Sequence, residues 1–256
     1  MRLRWLGVLA LLCAFPVAAN AAPGVTVVYH GNCVVVGGVR APDGRPAKAW
    51  DMWQEIFQTS APTWLQAHTH HGAECITTVT GITGWWFAHG ASAPDAPPTI
   101  VPVHAGQTLY TVQGRVHTAG NVQPGVQAYL GIHLLEQGSD FNYPVNDPSA
   151  PPQAKTAPVS VFKNEMPNQV PSAGTFTIAN QILRFAPNGR LPIPATGALG
   201  YYTVVVGNAQ LTTKSSVITM KPHVTYTLPR NSAATITAGT LTTDIAATEL
   251  IPGSHP

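Results

Sequence analysis

His68-Thr69-His70-His71-Gly72-Ala73-Glu74-Cys75-Ile76-Thr77-Thr78-Val79-Thr80-Gly81 sets a carboxylate among imidazoles directly ahead of an alternating run. In an extended chain, side chains at i and i+2 share a face, so His68 and His70 aim together and Glu74 lies on the same parity. Ile76, Thr78 and Thr80 continue that face, whereas Cys75, Thr77 and Val79 point the other way. A turn at Gly72 could adjust this register, and Gly81 permits the chain to reverse. The stretch predicts a strand that carries nitrogen and oxygen donors on its inner face.

A second stretch, from Gly106 through Val112-Gln113-Gly114-Arg115-Val116-His117-Thr118-Ala119-Gly120-Asn121, adds one more imidazole behind a glycine-rich turn. Three imidazoles and one carboxylate suit a divalent first-row transition metal with positions left open for water, dioxygen or substrate. The expected ligands are His68, His70, Glu74 and His117. Fe or Mn comes first, and Ni, Cu or Zn is also compatible. His71 alternates away from the pair around it, which suits a surface or supporting place better than ligation. His89, His104, His133 and His223 have no such pattern around them. Arg115, in the turn before His117, could attract an anion, although arginines in turns are more often simply solvated. Of Trp85, Trp86 and Phe87, alternation sends one face inward, to pack in the core or to line a pocket.

Outward from these stretches the chain reads as all-β. Its 256 residues hold 45% hydrophobic side chains, enough for a sizeable core, with 23 Gly and 24 Pro and only 9% charged residues. That mixture favours short strands joined by many turns. Residues 25–36 are strand-like, 41–47 form a turn-rich connection, and 47–58 are expected as a short helix. A compact β region follows over 64–135, cut by glycines at the spacing of a small barrel or sandwich. Prolines crowd residues 141–172, which predicts a linker rather than core. A second strand-rich region occupies 173–256. The expected organisation is thus 1–21, 22–140, 141–172 and 173–256.

The first segment reads as a signal peptide: Arg2 and Arg4, an apolar run from Trp5 to Val17, then Ala19-Asn20-Ala21. The run falls short of the about 20 residues that span a bilayer, so no membrane attachment is expected after its removal. Cleavage before Ala22 takes two of the 13 basic residues and none of the 11 acidic ones, which leaves a near-neutral chain. Without a basic excess there is no electrostatic footprint for nucleic acid. A secreted or periplasmic location follows, where Cys33 and Cys75 could form a disulfide or remain two buried thiols.

The two stretches resemble the motifs of the cupin superfamily. The first motif is a Gly, five residues, His-x-His, three or four residues, Glu, six residues and Gly, met here from residue 62 to Gly81 with Pro62 in place of the leading Gly. The second is a Gly, five residues, Pro-x-Gly, two residues, His, three residues and Asn, met from Gly106 to Asn121 with Val112 in place of Pro. Both departures affect turns and leave every donor in place. The resemblance implies a jelly-roll barrel over about 25–140 holding one metal through His68, His70, Glu74 and His117. Laid on the same pattern, the second region puts Pro194, Thr196, Gly200 and Ala234 at the donor positions, so it reads as a degenerate barrel without metal; a different small β-sandwich fits it as well.

The function this implies is a metal-dependent oxidoreductase of dioxygenase type acting on a small phenolic or enolisable substrate, with Glu74 doubling as proton acceptor. Oxalate breakdown is a second enzymatic reading that would want further acidic and Arg groups at the pocket. A non-catalytic, metal-stabilised ligand-binding module is the alternative from another class, and a storage role ranks last because storage barrels usually lack the donors. Pairing of barrels into a homodimer is compatible with all of these. N-terminal sequencing of the exported protein should begin at Ala22; a product that retains Met1 would overturn the signal-peptide reading.

Overall fold

The computed structural model describes residues 22–253 apart from 41–42, 46–48, 61–62, 89–96, 154–158 and 168–173. The expected signal peptide, Pro62 and His89 lie outside the described residues. In chain order the strands are β1 (Val25–Val35), β2 (Trp50–Thr59), β3 (His68–Thr69), β4 (Gly72–Thr80), β5 (Ile82–Phe87), β6 (Thr99–His104), β7 (Thr108–Thr111), β8 (His117–Asn121), β9 (Gln127–Glu136), β10 (Tyr143–Pro144) and β11 (Val159–Pro167). The second half adds β12 (Phe176–Phe185), β13 (Arg190–Ile193), β14 (Leu199–Val206), β15 (Ala209–Thr213), β16 (Val217–Met220), β17 (Thr225–Leu228), β18 (Ala234–Ala238) and β19 (Thr243–Pro252). The fold is all-β, as the composition implies.

Four antiparallel sheets form two barrels. The first barrel closes sheet β11-β2-β9-β4-β7 over sheet β10-β3-β8-β5-β6; the second joins β1-β12-β19-β14-β17 with β13-β18-β15-β16. The expected helix over 47–58 is corrected here to strand β2, which pairs with β9 on one side and β11 on the other. Its sequence misleads because the strand is buried on both faces. Glu55 and Phe57 face the lumen of the first barrel, whereas Trp50 and Met52 face a core shared with the second barrel. A strand covered on both sides has no apolar-polar alternation to betray it.

Two expected boundaries also move. The segment 141–172 contains β10 and β11, both paired into the first barrel, so its reading as a mere linker is corrected. Proline there restricts the chain locally, yet β11 still lies at a sheet edge, where a missing N–H is tolerated. Conversely β1, expected in the first domain, pairs with β12 of the second barrel from Val25↔Phe185 to Val35↔Phe176.

Strand β4 shows the predicted parity. Glu74 and Ile76 face the lumen, while Cys75 and Val79 pack towards the second barrel. Gly81 has φ +72°, and a Cβ there would come within 2.8 Å of the Val126 carbonyl oxygen, so the reversal into β5 needs glycine. Cys75 forms a disulfide with Cys33 of β1, Cα–Cα 5.9 Å, joining the two barrels covalently. Around it Cys33, Trp50, Met52, Leu134, Ile178 and Tyr201 belong to one buried cluster. In the same interface Gln54 donates to Thr248 Oγ1 at 2.9 Å and accepts from Thr203 Oγ1 at 2.6 Å.

The second barrel is filled rather than hollow. Phe185, Tyr202, Val204, Leu211, Met220 and Ile236 pack in one apolar cluster that also contains Ala234. Pro194 and Thr196 are exposed, and Gly200 lies under the Tyr202 ring. None of the four positions aligned with donors carries one.

The disulfide closes a loop of 42 residues, for which the chain-entropy relation gives about 4 kcal/mol. A Cys33→Ala/Cys75→Ala variant should accordingly lose about 2–4 kcal/mol in a urea titration of the purified protein. A loss under about 0.5 kcal/mol would show that the barrel interface holds without the covalent link.

Candidate metal centre

His68 and His70 come from β3 and the residue after it, Glu74 from β4, and His117 from the first position of β8, directly opposite His68 in the ladder. The turn of the second motif is tied to the first, since Gly114 N–H donates to the His70 carbonyl at 3.0 Å. The imidazoles of His68, His70 and His117 converge with ring centroids 4.7–5.2 Å apart. All four side chains are buried, each at 6% exposure or less.

Each histidine is oriented by its own backbone partner. Nδ1 of His68, His70 and His117 lies 2.7, 2.6 and 2.8 Å from the carbonyl oxygens of Gln66, Phe141 and Arg115. A carbonyl only accepts, so Nδ1 carries the proton in all three and Nε2 is left with its lone pair aimed inward. His70 Nε2 then stands 3.0 Å from Glu74 Oε1, and His117 Nε2 stands 2.9 Å from Glu74 Oε2. Lone pairs face lone pairs. His70 Nε2, His117 Nε2 and Glu74 Oε2 are buried without a hydrogen-bond partner, an arrangement that costs free energy unless a cation or a proton lies among them. This donor set fits a divalent transition metal: three neutral imidazoles, one carboxylate, and imidazole tautomers already fixed.

The electrostatics agree. Burial pushes the His68 imidazole down to about 3, with His117 and His70 beside it acting in the same direction. Burial likewise lowers His70, against the opposing pull of Glu74. Burial alone would raise the Glu74 carboxyl, but His70 and His117 and the contacts from His117 and His133 outweigh it and hold it well below the usual carboxylate range. His68 and His70 are thus pushed towards the neutral imidazole and Glu74 towards the carboxylate, the forms that coordinate metal.

His133 is the residue that the sequence reading passed over. It lies on β9 opposite Glu74, with Nδ1 2.9 Å from Glu74 Oε1 and Nε2 donating to Glu55 Oε1 at 3.0 Å. Burial would lower it, yet the two carboxylates raise it to about 9. Groups able to hold a metal ion among the described residues are His68, His70 and His117, and His70, Glu74 and His133. The available signal was faint: a lone histidine in the apolar run Leu130–Leu135, two places from Gly131, where a Cβ would come within 3.1 Å of His133 Nε2. His71 lies outside the cluster, stacked on Tyr143 at 4.0 Å, and His104 and His223 are exposed.

A cavity of about 160 Å³ opens beside this cluster. His68, Glu74, His133 and Glu55 line its inner end; Phe57, Leu65, Trp85, Tyr129 and Phe141 form its walls; exposed Asn142, Ser160 and Lys163 stand at the mouth. Of the aromatic triplet, Trp85 and Phe87 face inward and Trp86 packs in a separate cluster. Burial, together with Glu55 and Glu74, keeps the Tyr129 phenol protonated well above its ordinary range, so it can donate a hydrogen bond but not act as a phenolate base. Arg115 does not line the cavity; its guanidinium lies 4.4 Å over the Phe87 ring.

No family model and no curated protein matches the sequence. Solved structures do. A mutant form of Bacillus subtilis oxalate decarboxylase superposes with a TM-score of 0.56 at 11% identity, over 91% of this chain and 78% of that one. Vicilin from Solanum lycopersicum gives 0.53 at 10% identity over 79% and 75%, and AerE from Microcystis aeruginosa 0.50 at 9% over 85% and 98%. At such identities the likeness carries the fold and not the activity. Two jelly-roll barrels, the first with converging histidines and a glutamate, give this chain the double-barrel fold of these structures.

Proposed function

We propose that the chain is an exported mononuclear metal-binding cupin that acts as a metal-dependent oxidoreductase of dioxygenase type on a small phenolic or enolisable substrate. The observation that carries this reading is the set of buried, unpartnered donor atoms 2.9–3.0 Å apart at the inner end of an open cavity. His68, His70, Glu74 and His117 would hold the metal. When bound, such a metal supplies Lewis acidity and, for Fe, Mn or Cu, one-electron chemistry with dioxygen.

The chain's own residues supply the rest. Phe57, Trp85, Tyr129 and Phe141 exclude water and pack a planar substrate against the inner end. A proton leaving a substrate hydroxyl has an acceptor in a Glu74 carboxylate oxygen, and His133, held by Glu55, orients that carboxylate from behind. Tyr129 keeps its own proton and can donate to a substrate oxygen. The oxalate reading draws support from the solved neighbours, but Arg115, its sequence-level anchor, stands outside the cavity. A closed structural metal site is disfavoured because the donors border open space. Export rests on the first 21 residues and accords with the disulfide.

Purified mature protein should carry about one equivalent of transition metal per chain, lost in a His68→Ala/His70→Ala variant, with metal stabilising the fold by about 2.7 kcal/mol at a hundredfold excess over Kd. Elemental analysis and calorimetric unfolding with and without chelator read both; no metal after reconstitution would sink the proposal. The metal-loaded protein should also consume oxygen when single-ring phenols are added, and the double variant should not. Bound metal without oxygen uptake or substrate turnover would leave the ligand-binding alternative standing.

A further inference from the structure

Lys163 is a charged group of the cavity that the metal chemistry leaves unused. It lies on β11, within the stretch that the sequence presents as a linker, and stands exposed at the mouth of the cavity. Its ammonium is held over the Phe141 ring, 3.2 Å from the centroid, with the Trp53 ring 5.0 Å away. Those two rings meet edge-on at 5.3 Å, which makes a rigid platform. Phe141 is fixed in turn from the metal side, because its carbonyl accepts from His70 Nδ1. The position of the ammonium is therefore coupled through a single residue to that of a metal ligand.

No carboxylate of the described residues comes within ion-pairing distance of Lys163 Nζ. Glu55, the acid nearest in effect, already accepts from His133. An ammonium fixed by an aromatic face keeps the N–H donors that point away from the ring available to a further acceptor. Exposed Asn142 lies beside it at the same mouth. Size narrows the ligand further: a cavity of about 150 Å³ accommodates one benzene ring, and the present one is about 160 Å³. A single ring fills it, and a fused multi-ring flavonol does not.

We propose that Lys163 is the substrate-anchoring cation of this cavity, and that the substrate is a single-ring phenolic carboxylate whose hydroxyl end meets the metal centre while its carboxylate is bound by Lys163. The assignment rests on the metal-centre reading for the orientation of the ligand, but the preference for an anion comes from Lys163 alone. Neutral phenols of the same shape lack the second contact and bind more weakly. Charge-assisted hydrogen bonds at the edge of an apolar cavity give about tenfold discrimination or more.

The test is isothermal titration calorimetry with 3- and 4-hydroxybenzoate against the corresponding hydroxybenzamides, on wild type, Lys163→Met and Lys163→Arg. Wild type should bind at least one hydroxybenzoate about tenfold more tightly than its amide, Lys163→Met should abolish that gap, and Lys163→Arg should retain most of it. Absence of an anion preference in wild type, or an undiminished preference in Lys163→Met, overturns the proposal. Metal content is measured in the same samples. Wild type without metal defeats the metalloenzyme reading on its own, while the anion preference and its dependence on Lys163 are still read from the titrations.

Discussion

The structure is organised around acceptors that face acceptors. Two imidazole nitrogens and two carboxylate oxygens meet at about hydrogen-bond distance inside a barrel, with the Nδ1 protons of both imidazoles committed to backbone carbonyls. Burying such a set is tolerable only where surrounding structure compels it. The compulsion comes from the ladder positions: β3 opposite β8 fixes His68 against His117, and β4 opposite β9 fixes Glu74 against His133. The barrel keeps its shape because β4 is anchored from the other face, through Cys75 and the core beneath it.

That one strand serves two purposes explains the division of labour between the barrels. The first gives up apolar filling in its lumen for ionisable groups and a cavity, which lowers what its own core can contribute. The second has no such expense, and its interior is packed with aliphatic and aromatic side chains. Its outer sheet in turn covers β2, β4 and β9 of the first. The donorless barrel thus acts as a buttress, and the residues that mark it as degenerate, Gly200 under Tyr202 and Ala234 in the apolar cluster, are the ones that let it pack.

The local patterns were legible in the sequence and the distant pairings were not. Composition revealed the β class, and the period of two along residues 72–80 revealed which side chains face inward, because both depend on neighbours in the chain. The spacing of His68, His70, Glu74 and His117 likewise reports one short crossing from sheet to sheet and one turn. His133 escaped because its meaning depends on Glu55 and Glu74 from other strands, and β2 escaped because burial on both faces erased its alternation. Residues 141–144 and β11 looked like a connector since proline marks local stiffness and says nothing about what a segment covers; Phe141 and Lys163 show that they wall the cavity.

The exchange of β1 into the far barrel sets the order in which the molecule can mature. β1 is the earliest of the described strands to be synthesised, and its register partner for Cys33 is Ile178, in a sheet completed by β19 near the end of the chain. Pairings of such sequence separation form late and slowly. A nascent first half cannot seal its own back, so it waits with β4 uncovered on one side until the C-terminal strands arrive. Until then the first half presents exposed strand surface that needs shelter from aggregation.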